Sequence, residues 1–380
     1  MRRETWILLL GSALLNVGWG AFWSFLGLYL YDLKASYFQI ALLDSISALM
    51  YLTSRVWGAV SDYYGLRKPF ILAGNLLSAI PILLCGFTSS PNQIIGLYAA
   101  TALSSSVAYP PFLAALTSTE GGRGDVLGWY SMLISFGWAV GCFLMGPLCE
   151  LAGPSAVFTF SSITVLSATL IMVGYPSERR RARSEGLWEY VKVAFSLKFR
   201  APKEFRWVLL SIFIAWFGAQ WGGPLIRMRM YDLLERSKVI VGIVWGPVAS
   251  VLCAVVSPLA GRLADRIGGW RLLQATILLY AVLTPAYAVI HDPILYSALY
   301  VVPVWSFFWI GNLATPAQMT HQSVRGEAMG AQQSASNLGI MLGFLGGVFA
   351  DRFGRELGIV LSSALFVAAL LPLILLKRKD

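Results

Sequence analysis

Residues 58–65 read GAVSDYYG: a glycine, three residues, an acid, two residues and a second glycine. The same frame recurs as GPLCELAG at 146–153, GRLADRIG at 261–268 and GVFADRFG at 347–354. Each copy closes a long apolar run. A glycine one turn before a helix end lets another helix approach closely. An acid at a helix C-terminus is unfavourable by itself, because that end already carries partial negative charge. It needs a positive partner, and the start of a neighbouring helix, with its unpaired N–H groups, supplies one. The closing glycine permits a sharp turn. Four copies therefore point to four helix ends, each braced against another helix.

The apolar runs themselves set the class. Of 380 residues, 57% are hydrophobic and 13% charged, against about 25% charged in soluble domains. Mean hydropathy is +0.67. About 20 apolar residues span a bilayer as a helix. Twelve such runs lie near 6–31, 38–61, 69–88, 93–117, 125–150, 154–175, 206–230, 239–261, 270–290, 293–319, 327–350 and 357–376. Little remains for a soluble domain. If the N-terminus is cytoplasmic, 22 of the 29 basic residues fall on the inner side, so the net charge of +10 is the positive-inside signal. The chain is expected to be a multi-pass protein of the cell membrane with both termini in the cytoplasm, and the charge needs no nucleic acid to explain it. MRRETW and the run behind it are read as a retained first helix, without a small-residue cleavage site.

The frames are spaced as a duplication. Gly58 to Gly261 is 203 residues and Gly146 to Gly347 is 201. Arg123-Gly-Asp-x-x-Gly128 recurs as Arg325-Gly-Glu-x-x-Gly330, and Tyr31-Asp-Leu as Tyr231-Asp-Leu. The chain is two six-helix halves. Within each half the frame returns after 88 and 86 residues, or three helices. Successive copies therefore fall on opposite membrane faces, as in an inverted repeat.

These motifs resemble the major facilitator superfamily over essentially the whole chain. That family's loop after the second helix has the form G-x-x-x-D-[RK]-x-G-[RK]-[RK]. Here it reads Gly58, Asp62, Gly65, Arg67-Lys68, with Tyr63 at the basic position; the later copy reads Gly261, Asp265, Arg266, Gly268. The resemblance implies an all-α membrane fold of two six-helix bundles related by a pseudo-twofold axis, each built from two inverted three-helix repeats. The expected division is 1–178, a cytoplasmic linker with an amphipathic helix at 179–205, and 206–380. The resemblance also implies a latch in which the second helix meets the start of the eleventh, at Arg325, and the eighth meets the start of the fifth, at Arg123. Asp351 belongs to the same set of acids.

Ionisable groups inside a span are costly and usually functional. Asp44, Ala48, Tyr51, Arg55, Gly58 and Asp62 repeat at helical spacing and predict one polar stripe on the second helix, which Gln332, Gln333, Ser336 and Asn337 could face. Asp44 with Arg55 is the candidate for proton coupling; a packing role is the alternative. Arg227 and Arg229 lie two apart, so they point different ways, one toward the interface and the other a candidate for an anionic cargo. By the resemblance, helices 1, 4, 7 and 10 enclose a central cavity. Its expected lining is Asn16, Trp19, Trp23, Tyr109, Gln220, Trp221, Trp309 and Asn312, with Gln333 and Asn337. Aromatic walls with a few amides suit an amphipathic ligand.

The functional expectation is a secondary transporter working by rocker-switch alternating access, with proton-coupled export of amphipathic compounds in front. A sugar, nucleoside or lysolipid carrier is the alternative, and a non-transporting receptor is the alternative of another class. Helix 4 lacks the charge typical of drug exporters, and the fifth-helix signature is partial, as Gly141 and Gly146-Pro147 followed by Glu150-Leu151. No catalytic constellation, phosphate loop or Cys/His metal cluster is present, so neither enzyme chemistry nor a cofactor is expected. The four cysteines lie in apolar runs and read as packing residues. The expected partners are a small-molecule substrate and membrane lipids, for a monomer.

Overall fold

Each apolar run becomes helix, because a segment in lipid must satisfy its own backbone. The computed structural model describes residues 3–118, 123–176, 205–321 and 324–374, with the side chains of 123–125 left aside. The amphipathic helix expected at 179–205 lies outside the described residues. In chain order the helices are α1 (Arg3–Asp32), α2 (Tyr37–Leu52), α3 (Ser54–Tyr64), α4 (Lys68–Leu84), α5 (Pro91–Ser118), α6 (Arg123–Ala152) and α7 (Pro154–Val173). Then follow α8 (Phe205–Leu233), α9 (Lys238–Ile243), α10 (Ala249–Ile267), α11 (Gly269–Leu283), α12 (Ala286–Val289), α13 (Pro293–Tyr300) and α14 (Val304–Met319). The last three are α15 (Arg325–Leu342), α16 (Phe344–Phe353) and α17 (Arg355–Ile374). A π-helical turn, Val244–Val248, joins α9 to α10 around Pro247.

Among the described residues ten helices are long and apolar enough to cross a membrane. The other two of the twelve runs, the second and the eleventh, are each divided at a single residue. The second divides at Thr53, whose hydroxyl donates to Met50 O at 2.6 Å and bonds Ser106 Oγ at 2.8 Å. The eleventh divides at Gly343. The closing glycines of the four frames behave alike. Gly65, Gly153, Gly268 and Gly354 have φ of 64°, 80°, 91° and 93°, and they are the positive-φ glycines among the described residues. A side chain there would be strained.

Contacts divide the chain into two units. The first holds residues 1–33, 49–196 and 237–250; the second holds 34–48, 197–236 and 251–380. This differs from the sequence division at 178 and 206 by an exchange: the first part of α2 clusters with the second unit, and α9 with the first.

In the first unit the core gathers Leu8, Leu9, Ile71, Phe112, Leu116 and Met172. α1 and α6 approach backbone to backbone. A Cβ on Gly141 would lie 2.7 Å from Ala21 N, and one on Gly20 would lie 3.0 Å from Trp138 Cα. In the second unit Phe205, Ile212, Trp216, Ile277, Phe308 and Phe366 form the core. Gly339, 202 residues after Gly137, brings α15 onto α8, 2.9 Å from Phe217 N.

Gly141→Val forces α1 and α6 apart and should lower the apparent melting temperature in detergent, by the ~1–3 kcal/mol typical of overpacking or more. Gly96→Ala is the control, since a Cβ there meets nothing within 4 Å among the described residues, and it should leave the melting point level or raise it. Equal melting of the two variants would contradict the close-approach reading.

Candidate functional site

The exchanged part of α2 is held in the second unit by polar ties that the frame chemistry explains. Its first-turn amides have no partner within the helix. Asp351, the acid of the fourth frame, supplies one: Tyr37 N donates to Oδ1 at 2.8 Å and Phe38 N to Oδ2 at 3.0 Å. The frame's glycine, Gly347, makes the approach possible, because a Cβ there would lie 2.6 Å from Tyr37 C. Next along, the rings of Phe38 and Phe344 meet edge to face at 6.0 Å.

Further along α2, Asp44 Oδ2 accepts from Arg227 Nη2 on α8 at 2.9 Å. The Asp44 side chain is 7% exposed and that of Arg227 20%. Seven residues past Tyr37, the pair sits about 10 Å along the helix, deep enough that each charge depends on the other for its cost of desolvation. The next residue, Ser45, bonds both Ile340 O and Phe344 N. Arg229 points away from Arg227 and pairs with Glu356 Oε1 at 2.5 Å. Arg355 joins Glu356 to Asp232.

The exchanged α9 is held in the first unit by related means. Gly146, the second frame's glycine, would place a Cβ 2.6 Å from Val239 N, and Gly242 one 2.5 Å from Cys142 O. Ser237 caps the helix through Ile240 N at 3.3 Å. Lys238 Nζ pairs with Asp32 at 2.6 Å. Asp32 and Asp232 are the acids of the Tyr-Asp-Leu repeat, so the spacing flagged them without naming their partners.

The expected stripe on the second helix is not one face. The break at Thr53 divides it, with Asp44 in the second unit and Tyr51, Arg55, Gly58 and Asp62 in the first. The amides of α15 do not serve Asp44 either: Gln332 Nε2 donates to Ser336 Oγ and Gln333 Nε2 to Asn337 Oδ1, along their own helix. Tyr51 instead meets Tyr109 edge to face at 6.1 Å. Asp62, Asp265, Arg266 and Arg325 are exposed, while Arg67 is buried and donates to Ser118 Oγ at 2.6 Å. Beside Gly268, Gly269 N donates to Gln318 Oε1 at 2.6 Å. A Cβ on Gly58 would lie 3.2 Å from Pro110 Cβ, and one on Gly261 would meet nothing within 4 Å among the described residues. The Arg123 side chain lies outside the described residues.

The residues expected to line a cavity differ in setting. Tyr109 and Trp309 are exposed and Trp19, Trp23, Asn16 and Gln220 half-buried. Asn16 donates to Ser12 O at 2.9 Å and Trp23 to the Tyr98 hydroxyl at 3.2 Å. Trp221 is buried, its Nε1 donating to Gly358 O at 3.0 Å, which makes it part of the α8–α17 packing. Asn312 is buried, with its Oδ1 unpaired. Among the described residues no group of three or more His, Cys, Asp or Glu could hold a metal.

Duplicated helical bundles, spanning helices, aromatic amide-bearing faces and an ion pair within the second helical run are the marks of a polytopic helical membrane protein. A family model described as Major Facilitator Superfamily matches residues 8–344, and the chain belongs to that family. It is a multi-pass membrane protein, and it spans 59% of the length of the first of its curated relatives. It is 27% identical over 245 residues to the "Multi-drug resistance efflux pump PmrA" of Streptococcus pneumoniae, covering 62% of this chain and 59% of that protein's length. To the "Multidrug resistance protein MdtG" of Dickeya zeae it is 25% identical, covering 100% of this chain and 96% of that one. The solved structure of the nucleoside transporter NupG superposes with a TM-score of 0.81 at 13% identity, covering all of both chains. A bacterial homolog of the human lysosomal transporter Spinster gives 0.77 at 15%, covering 99% and 96%. At these identities the likeness is one of fold.

Removing one partner of a buried ion pair leaves an uncompensated charge, at about 3–5 kcal/mol. Asp44→Leu alone or Arg227→Leu alone should therefore lower the melting temperature more than the two together. A double variant less stable than both singles would show that the 2.9 Å pair is not a mutual compensation.

Proposed function

We propose that this protein is a secondary transporter, that it exports amphipathic organic compounds across the cell membrane and that protons drive it. The observation that carries the reading is the Asp44–Arg227 pair inside the span. A carboxylate held by a guanidinium is a site where a proton can be taken up, provided the guanidinium finds another partner or water. Ionisable pairs at such depth mark proton relays and substrate paths. The export direction and drug-like cargo are supported by the names of the sequence relatives. Exposed Tyr109 and Trp309, with half-buried Trp19, Trp23, Asn16 and Gln220, offer apolar faces with scattered hydrogen-bonding groups, which suits a cargo with rings and few charges.

We read the four frames as alternating braces. Asp351 caps the start of α2 in this structure. In the alternate state Asp62 and Asp265 would take the equivalent role at the starts of α15 and α6, beside Arg325 and Arg123. Charge at a helix start contributes about 0.3–1 kcal/mol, up to about 2 when partly buried. Such terms are enough to bias states that lie within a few kcal/mol of each other. The termini are read as cytoplasmic and the protein as a monomer.

Asp44→Asn, assayed in proteoliposomes, should abolish transport driven by a pH gradient while sparing exchange of labelled for unlabelled substrate. Cargo is first found by thermal shift against cationic dyes, nucleosides, sugars and lysolipids, since a ligand of the folded state alone raises the melting point. Gradient-driven transport at the wild-type rate in Asp44→Asn overturns the proton reading. Stabilisation by nucleosides, sugars or lysolipids but not by dyes overturns the drug-like one.

A further inference from the structure

In a continuous α-helix the amide of Phe344 would donate to the carbonyl of Ile340, four residues back. In the eleventh run that rung is open, and a side chain from another helix occupies it. Phe344 N donates to Ser45 Oγ at 3.2 Å, and Ser45 Oγ donates to Ile340 O at 3.3 Å. Gly343 N meanwhile turns to Ile340 O at 3.0 Å, a three-residue bond. The helix is interrupted at this residue, between α15 and α16.

We infer that Ser45 is a positioning residue that holds the α15–α16 rung open and ties the interruption of the eleventh run at Gly343 to the state of the Asp44–Arg227 pair. A hydroxyl is the smallest side-chain group that both donates and accepts, so it can stand in for the lost rung on both sides. Insertion of a side chain into the backbone ladder is a recognised cause of kinks. When Ser45 withdraws, Phe344 N loses its acceptor where no water can replace it, while Ile340 O keeps its bond from Gly343 N and regains a free lone pair. Phe344 N turns to that lone pair, and the rung closes. The run thus has two satisfied states, and Ser45 selects between them.

What fixes the depth of Ser45 is its neighbour. Asp44 is bonded to α8 through Arg227 while Ser45 is bonded to α15 and α16, so consecutive residues of one helix tether three others. Among the described residues, charged groups that meet this segment include Arg227 from α8 and Asp351 from α16. A proton on Asp44, or an anionic group competing for Arg227, removes the middle tether and lets the hydroxyl leave. This deepens the proton-driven reading above and supplies the step by which neutralising one acid would reshape a neighbouring span.

The test is a distance within the eleventh run. Spin labels are placed at Met329 and Phe353, both exposed, in the full-length chain with its four cysteines replaced by serine. A straight helix over this interval spans about 36 Å, and a bent one is shorter. Ser45→Ala and Asp44→Asn should each lengthen the mean distance, and the double variant should add nothing further. Ser45→Thr, which keeps the hydroxyl, should match the parent. If Ser45→Ala does not fold, Ser45→Val, which has no hydrogen-bonding group and adds no thiol, should give the longer distance. An unchanged distance in Ser45→Ala or Ser45→Val overturns the wedge. Lengthening in Ser45→Ala but not in Asp44→Asn overturns the coupling. The distance needs neither cargo nor gradient: if Asp44→Asn lengthens it yet keeps gradient-driven transport, the wedge stands and the proton reading falls.

Discussion

The carboxylate of Asp351 on the first amides of α2 is the contact on which much of the second unit depends. A helix that starts within protein in a membrane brings unpaired N–H groups, and these need an acceptor. Two carboxylate oxygens on two consecutive amides, at 2.8 and 3.0 Å, answer that need while neutralising the acid's conflict with its own helix end. With the start of α2 fixed there, Phe38 meets Phe344, Asp44 meets Arg227, and Ser45 enters the opened rung. Each lies further along the same short segment, so each depends on the register that Asp351 and Gly347 establish.

The segment is continuous in sequence with the first unit yet belongs by contact to the second, and α9 has the reverse allegiance. Both are tied by polar, reversible groups: carboxylate to amide, carboxylate to guanidinium, and Lys238 to Asp32. The core clusters of the two units, by contrast, are apolar and aromatic. A carrier needs rigid bodies and releasable fasteners, and the chemistry divides along that line. The helix interruptions at Thr53 and over Val244–Val248 fall within a few residues of where each exchanged segment ends. A weakened turn is the natural place for a change in direction to be absorbed.

Much of this was legible in the chain. The twelve helical runs, the duplication and the turns at Gly65, Gly153, Gly268 and Gly354 follow from hydropathy, spacing and the absence of a Cβ. The need for an acid such as Asp351 to sit on a helix start follows from dipole arithmetic alone. What the sequence hid is pairing across long separations. Asp44 lies 183 residues from Arg227, and no periodicity connects them; helical spacing pointed instead to Tyr51 and Arg55 along the same run. The stripe reading failed because it assumed an unbroken helix, and the break at Thr53 rests on a hydroxyl bond to Ser106 on another helix. The partner of Trp221 was hidden for a similar reason. Its mid-span position suits a cavity wall, and its ring N–H donates to Gly358 O, a partner that only the packing of α17 reveals.

The central claim is that the first part of α2 is fastened to the second unit and must be released for transport. Phe38 and Phe344, whose rings stand 6.0 Å apart, are replaced by cysteine in the background lacking native cysteines. A short bifunctional thiol reagent then joins them in proteoliposomes. The account predicts that the crosslinked protein stops transporting and recovers when the bridge is reduced, while each single-cysteine variant treated alike stays active. Undiminished transport by fully crosslinked protein would contradict it.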